Sequence, residues 1–175
     1  MFATIYLPNF YLQAAIRHQP ELGEKPVALI EEHERKPLII QLNELAENVG
    51  IRKGMTPSQA LARSLHVVIK VRALMQEKSM QEILLHYAFT LSPFVEDTAP
   101  GICTVQFTDY RNLNEKVCGI IEQLGECEIR AQAAIAPTAD SSFLAAHIAR
   151  PVLQIENEKE FLAPLPIETL GIGGT

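Results

Sequence analysis

The stretch Leu91–Asp109, LSPFVEDTAPGICTVQFTD, constrains the fold more than any other. An apolar run, two acids, a Pro-Gly turn and a second apolar run follow one another. That is the pattern of a β-hairpin with a carboxylate near its turn. Asp97 is the residue to explain. A carboxylate beside a strand end can hold a divalent cation, and a nucleotide-transfer centre would be built around such a pair of strands. The plain alternative is that Glu96 and Asp97 solvate the turn.

The segments around the hairpin set the architecture. Phe2–Leu7 reads as a strand ended by Pro8, with Asn9 placed to cap a helix through Tyr11, Leu12, Ala15 and Ile16. Lys25–Glu31 and Pro37–Leu42 read as strands, separated by the charged turn Glu31–Lys36, in which His33 is a solvated residue. Glu44–Val49 is a short helix closed by Gly50. Thr56, Pro57 and Gln59 form a helix start with a cap, a first-turn proline and a capping-box partner. The strand His66–Val71 follows. Met80, Ile83, Leu84, Tyr87, Ala88 and Leu91 recur at helical spacing, so Ala73–Leu91 is an amphipathic helix with these residues in the core. After the hairpin, Leu113, Val117, Ile120, Ile121 and Leu124 mark a second one. Ile129, Ala131, Ala133 and Ile135 alternate with polar residues, which predicts a strand with one wet face. Thr138 or Asp140 starts a helix through Phe143, Leu144 and Ile148, with His147 a surface or half-buried residue. A strand at Val152–Ile155 and a short helix at Asn157–Leu162 complete the pattern. The interleaving predicts an α+β fold, a ferredoxin-like sheet with a small inserted α/β lobe at about His18–Arg72.

Charge is divided unevenly along the 175 residues. The net charge is −6, the wrong sign for a chain that grips nucleic acid by itself. His18–Arg72 carries eight Lys/Arg against seven Glu, whereas Ala73–Thr175 carries six against fourteen acids. A polyanion would meet the insert first. Cys103, Cys118 and Cys127 lack metal-ligand spacing and read as small buried hydrophobes in a reducing compartment. No stretch approaches the roughly 18 apolar residues of a membrane span, and a soluble cytoplasmic protein is expected.

With these pieces in order, the sequence resembles the Y-family translesion DNA polymerases along nearly its whole length. The likeness rests on Pro20-Glu21-Leu22, Lys25-Pro26-Val27-Ala28, Asn43–Ala46, Gly50-Ile51-Arg52 with Gly54-Met55, and Ala60. It continues through Ser92-Pro93, Asp97, Ala134-Ile135-Ala136-Pro137, Phe143-Leu144-Ala145, Phe161-Leu162 and Leu165-Pro166. The shared order and spacing carry the resemblance, not any one match. It implies a palm from residues 1–17 and 73–165, fingers from 18–72, and the start of a helix–hairpin–helix thumb at 166–175, where Gly171–Gly174 lies.

The departures from that family bear on chemistry. The resemblance places Tyr6 where the family has an acid in the first strand, and Pro8 at the next acid. It places Asp97-Thr98 at the hairpin's Asp-Glu pair, so Asp97 is a remnant and Thr98 a replacement. Glu44 and Glu47 fall where a Tyr and an Arg clasp the incoming triphosphate, and Tyr11 at the bulky position that screens ribose. Two-metal phosphoryl transfer needs two cations bridged by anionic ligands. A glutamate about 4 Å from a phosphate opposes binding by roughly 4 kcal/mol at an effective dielectric near 20. An Arg-to-Glu exchange also removes a bidentate donor.

This pattern is similar to the noncatalytic ImuB-like branch. The resemblance implies a scaffold or accessory role in translesion synthesis and DNA repair, with no metal cofactor. It implies damaged or primed DNA reached through the full-length protein. It also implies an ImuA-like protein, an error-prone replicative-type polymerase and the sliding clamp as partners. Arg52, Lys53 and Arg63 are the candidates for DNA backbone contact; an ordinary basic surface is their plain alternative. Two other readings stay open: an active Mg²⁺-dependent nucleotidyltransferase using Asp97 with Glu96 or Asp109, and an unrelated ferredoxin-like interaction module.

Overall fold

The computed structural model describes residues 1–31 and 36–164. His33, Leu165-Pro166 and the expected thumb segment 166–175 lie outside the described residues. In chain order the elements are β1 (Phe2–Tyr6), α1 (Phe10–Ile16), β2 (Val27–Ile30), β3 (Ile39–Leu42), α2 (Glu44–Asn48), α3 (Pro57–Arg63), β4 (Val68–Val71), α4 (Leu74–Leu91), β5 (Val95–Ala99), β6 (Ile102–Gln106), α5 (Leu113–Glu126), β7 (Gln132–Ala136), α6 (Ala139–Ala146), β8 (Val152–Gln154) and α7 (Glu158–Leu162).

The chain divides into two compact units, Met1–Pro8 with the chain from Gln81 onward, and Asn9–Met80. This division falls at 8/9 and 80/81, where the sequence reading puts its palm and fingers bounds at 17/18 and 72/73. Helix α1 belongs with the insert, because Leu12 buries itself with Leu22, Val27 and Leu29, and Tyr11, Ala15 and Ile16 pack against that cluster. The start of α4, through Met80, also belongs there.

The first unit is built on a sheet in the order β5-β6-β1-β7-β8. β1 runs antiparallel to β6 and to β7, and β7 is parallel to β8. With α4 before the hairpin and α5 after it, this is the ferredoxin-like βαββαβ order, extended by α6 and β8. Side chains alternate between faces, so Ala3 and Ile5 share one face with Cys103, Val105, Ala133 and Ile135, all fully buried. The other face of β7 carries Ala134 and Ala136 under Ala145 and Ala146 of α6. The expected wet face of β7 is therefore absent. β7 lies between two strands with its faces covered, and Ala133–Ala136 are all buried. Ile148 falls beyond the end of α6 and is 47% exposed.

The second unit has a three-stranded sheet, β3-β2-β4. Ala28 faces α2 and α3 through Ile39, Leu42, Ala46, Ile51, Ala60 and Val67, while Val27 and Leu29 face α1. The lobe thus has apolar clusters of its own. Its local stops follow the sequence. Thr56 and Gln59 form the reciprocal capping box, and Gly50 takes a left-handed φ of 83° after α2. Asn9 does not cap α1. It takes φ 49° itself, and its side-chain amide donates to the Leu42 carbonyl at 3.3 Å. Among the described residues no helix is long and apolar enough to cross a membrane.

Candidate functional site

Tyr6 ends the central strand β1, where it pairs with Ile102 on one side and Gln132 on the other. Its ring stacks on His147, with centroids 4.3 Å apart and planes 28° from parallel. His147 Nδ1 lies 2.8 Å from the Phe143 carbonyl, which can only accept, so Nδ1–H donates. The Phe143 ring is 4.7 Å from the imidazole. Burial pushes the Tyr6 phenol above its ordinary range, which keeps it neutral. His147 is half-buried, one of the two placements read from the sequence. An i, i+4 relation to Phe143 was visible there, but not the approach of β1.

Asp97 lies on the other side of the sheet from Tyr6. It pairs with Cys103, and Cys103 pairs with Ile5, the neighbour of Tyr6. Alternation then separates the two faces. The Asp97 carboxylate accepts from Gln81 Nε2 at 2.6 Å, and the same amide's Oε1 accepts from Gly101 N at 2.7 Å. Asp97 is thus tied to α4 and the hairpin turn. Cys103 on that face is buried, and burial pushes its thiol up to about 12. Cys118 and Cys127 are only half-buried, unlike the expectation for them.

The two acids that were candidates to join Asp97 have these surroundings. Glu96 pairs with Thr104 and so faces the Tyr6 side. Asp109 is held by Arg111 at 3.0 Å, and those hydrogen bonds bring its carboxyl well below the usual range, to about 2. The residues that border the end of β1 in the hairpin are Ile102, paired with Tyr6, and Gly101, whose carbonyl accepts from Leu7 N at 2.8 Å. Neither has a carboxylate.

Thr98 begins a line of hydroxyls on the Tyr6 side. Its Oγ1 donates to Thr104 Oγ1 at 2.9 Å. Thr104 is 3.3 Å from Thr4, and Thr4 is 2.8 Å from Ser142. Ser142 donates to the Ala139 carbonyl. Thr4, Thr104 and Ser142 are buried, so this line satisfies polar groups inside the sheet–α6 contact.

The other candidates belong to the second unit. Asn43 caps α2 through Ala46 N, leaving Glu44 and Glu47 exposed in its first turn, where acids suit the helix dipole. Arg52 Nη1 donates to the carbonyls of Glu47 and Ile51 at 2.7 and 2.8 Å. It therefore closes the end of α2. Lys53 and Arg63 are exposed and make no ion pair among the described residues.

Tyr11 carries a contact that the sequence did not announce. The guanidinium of Arg72 lies 4.1 Å above its ring centroid. Arg72 binds Glu77 through Nε and Nη2 at 2.9 and 2.6 Å, and Glu31 through Nη1 at 2.9 Å. The hydrogen bond to Glu77 is the main cause that raises the guanidinium pKa further.

These residues do not fit a two-metal centre. Among the described residues no three of His, Cys, Asp and Glu come together as metal ligands could. The end of β1 offers a neutral phenol, a glycine and an isoleucine.

The family model described as impB/mucB/samB matches residues 5–149. DNA polymerase IV of Pectobacterium atrosepticum is 26% identical over 178 residues, an alignment covering 94% of this chain and 49% of that protein. DNA polymerase IV of Legionella pneumophila strain Corby has the same identity and coverage. The chain thus spans about half the length of the curated relatives it matches. Among solved structures, a post-insertion binary complex of Dbh DNA polymerase superposes with a TM-score of 0.86 at 17% identity, over 99% of this chain and 54% of that one. DinB from Sulfolobus solfataricus gives 0.84 at 15% identity, with the same coverage. At those identities the structural likeness is one of fold.

Proposed function

Because the chain belongs to the impB/mucB/samB family, we propose that it is a noncatalytic Y-family polymerase homologue, a scaffold for translesion DNA synthesis. The observation that carries this reading is the end of β1, where Tyr6 meets Ile102 and Gly101 and stacks on His147. In this reading Asp97 is a remnant of the family's acids, Tyr6 and Thr98 replace the others, and Asp97 stands on the face of the sheet away from Tyr6. The strand partner of Tyr6 in the hairpin, Ile102, then supplies no carboxylate. Two dications a few ångströms apart repel each other, and only anionic ligands between them offset that repulsion. A protonated phenol and an isoleucine do not.

The second unit supports the same reading. Glu44 and Glu47 present negative charge where the resemblance puts the triphosphate clasp, and Arg52 is committed to the end of α2. Lys53 and Arg63 remain as the DNA-backbone candidates. The role is one of holding partners in the cytoplasm: primed or damaged DNA through the full-length protein, an ImuA-like protein, an error-prone replicative-type polymerase and the sliding clamp.

Primer extension by the full-length protein with Mg²⁺ or Mn²⁺ tests the reading. The expected result is no added nucleotide, together with retention of primed DNA and of the partner polymerase in pull-downs with purified components. Template-directed extension that disappears on Asp97→Asn would overturn it and favour the enzyme.

A further inference from the structure

We propose that the exposed margin of β5 and β6 on the Tyr6 side, where Phe94, Glu96 and Gln106 reach solvent, receives an arginine side chain presented by a partner protein. A cleft of about 230 Å³ opens there, lined by Phe2, Phe94, Glu96, Thr104, Gln106 and Ala139. Strand register puts these side chains together. Phe2 pairs with Gln106, Glu96 pairs with Thr104, and Gln106 N donates to the Phe94 carbonyl. These three pairings therefore share the face that carries Tyr6 and lies away from Asp97.

The chemistry of the lining selects the occupant. Phe2, Phe94 and Glu96 bring two phenyl rings and one carboxylate to the same lining. Phe94 is 55% exposed, and Glu96 makes no ion pair among the described residues. An aromatic face attracts a cation, and a carboxylate beside it completes the match. A guanidinium is planar, stacks on rings and donates bidentately, which an ammonium does not. The Gln106 side-chain carbonyl adds an acceptor. The volume takes a guanidinium and the end of its stem, and lies below the roughly 300 Å³ at which small-molecule pockets begin.

Charge complementarity points to a basic protein segment and away from nucleic acid. The charged residue in the lining is Glu96, and a carboxylate opposes a phosphate backbone and favours a cation. β5 is also an edge strand of its sheet, open to an approaching chain. The inference does not depend on whether the protein is catalytically inert.

The test uses the isotope-labelled 175-residue chain and the capped peptide acetyl-Gly-Arg-Gly-amide, followed by backbone amide shifts. Shifts are expected at Phe2, Val95, Glu96, Val105 and Gln106, with weak, salt-sensitive affinity. Glu96→Gln should lower that affinity about tenfold, as loss of one partner of a charge pair does. Phe94→Ala should lower it several-fold. Asp97→Asn, on the other face, should leave it unchanged. The citrulline peptide, uncharged but of the same shape, should produce no shift. Equal shifts with citrulline, or unaltered binding in Glu96→Gln, would overturn the proposal. So would Glu96-dependent self-association in sedimentation, which would make a second copy the occupant, and so would an oligodeoxynucleotide that shifts the same amides.

Discussion

Restoring acids at the end of β1 would show which hairpin position faces the first strand. Tyr6→Asp, Ile102→Asp and the double variant form one thermodynamic cycle with the parent chain. Tyr6 and Ile102 are cross-strand partners, so their side chains start about 5 Å apart. Two carboxylates at that separation repel by roughly 3 kcal/mol at an effective dielectric near 20. In metal-free buffer the double variant should therefore lie about 3 kcal/mol below the sum of the single variants. Mn²⁺ should reverse this. At a concentration a hundredfold above its dissociation constant, a ligand bound only by the folded state stabilises it by about 2.7 kcal/mol. Urea denaturation with and without Mn²⁺ reads both quantities. The informative control is Tyr6→Asp alone, which still has Asp97. Asp97 is on the far face, so this variant should gain little from Mn²⁺. If it gains as much as the double variant, the register reasoning is wrong and Asp97 does share a cleft with position 6.

Two further outcomes are expected. Glu77→Gln should cost about 2–3 kcal/mol in urea titrations, because it neutralises the buried carboxylate that holds Arg72 by two charge-assisted bonds; a loss below about 0.5 kcal/mol would mean that Glu31 and solvent suffice. Asp109 should titrate near pH 2 by NMR, and Arg111→Ala should return it to about 3.9. Since its folded pKa is depressed, whatever stability this exposed pair adds is present above about pH 3.9 and is lost as pH falls through about 2. An unmoved midpoint in Arg111→Ala would remove Arg111 as the cause.

Local features were legible because their causes are local. The Thr56–Gln59 capping box, the left-handed Gly50 and the Pro100-Gly101 hairpin turn each depend on residues within one turn of chain. Asn9 shows the limit even at that range. Its residue type suits a cap, but the approach of Leu42 to its amide competes with that geometry. β7 shows a second limit. Arg130 and Gln132 read as a wet stripe, but the strand proper starts at Gln132 and lies between β1 and β8, so alternation did not report exposure.

What the chain's order of residues determined alone is the α+β ferredoxin-like plan and the absence of an acid at Tyr6. Apolar periodicity and turn chemistry are enough for these, since each element buries its own stripe whatever its neighbours are. Which hairpin residues stand beside Tyr6 was decided only in three dimensions, by the β1–β6 register. A strand shift of one residue exchanges the two faces, so Asp97 and Ile102 could not be told apart as neighbours of β1 from spacing. The stacking of His147 on Tyr6 and the clamp of Arg72 over Tyr11 belong to the same class, for they join segments far apart in the chain through contacts that no local pattern encodes.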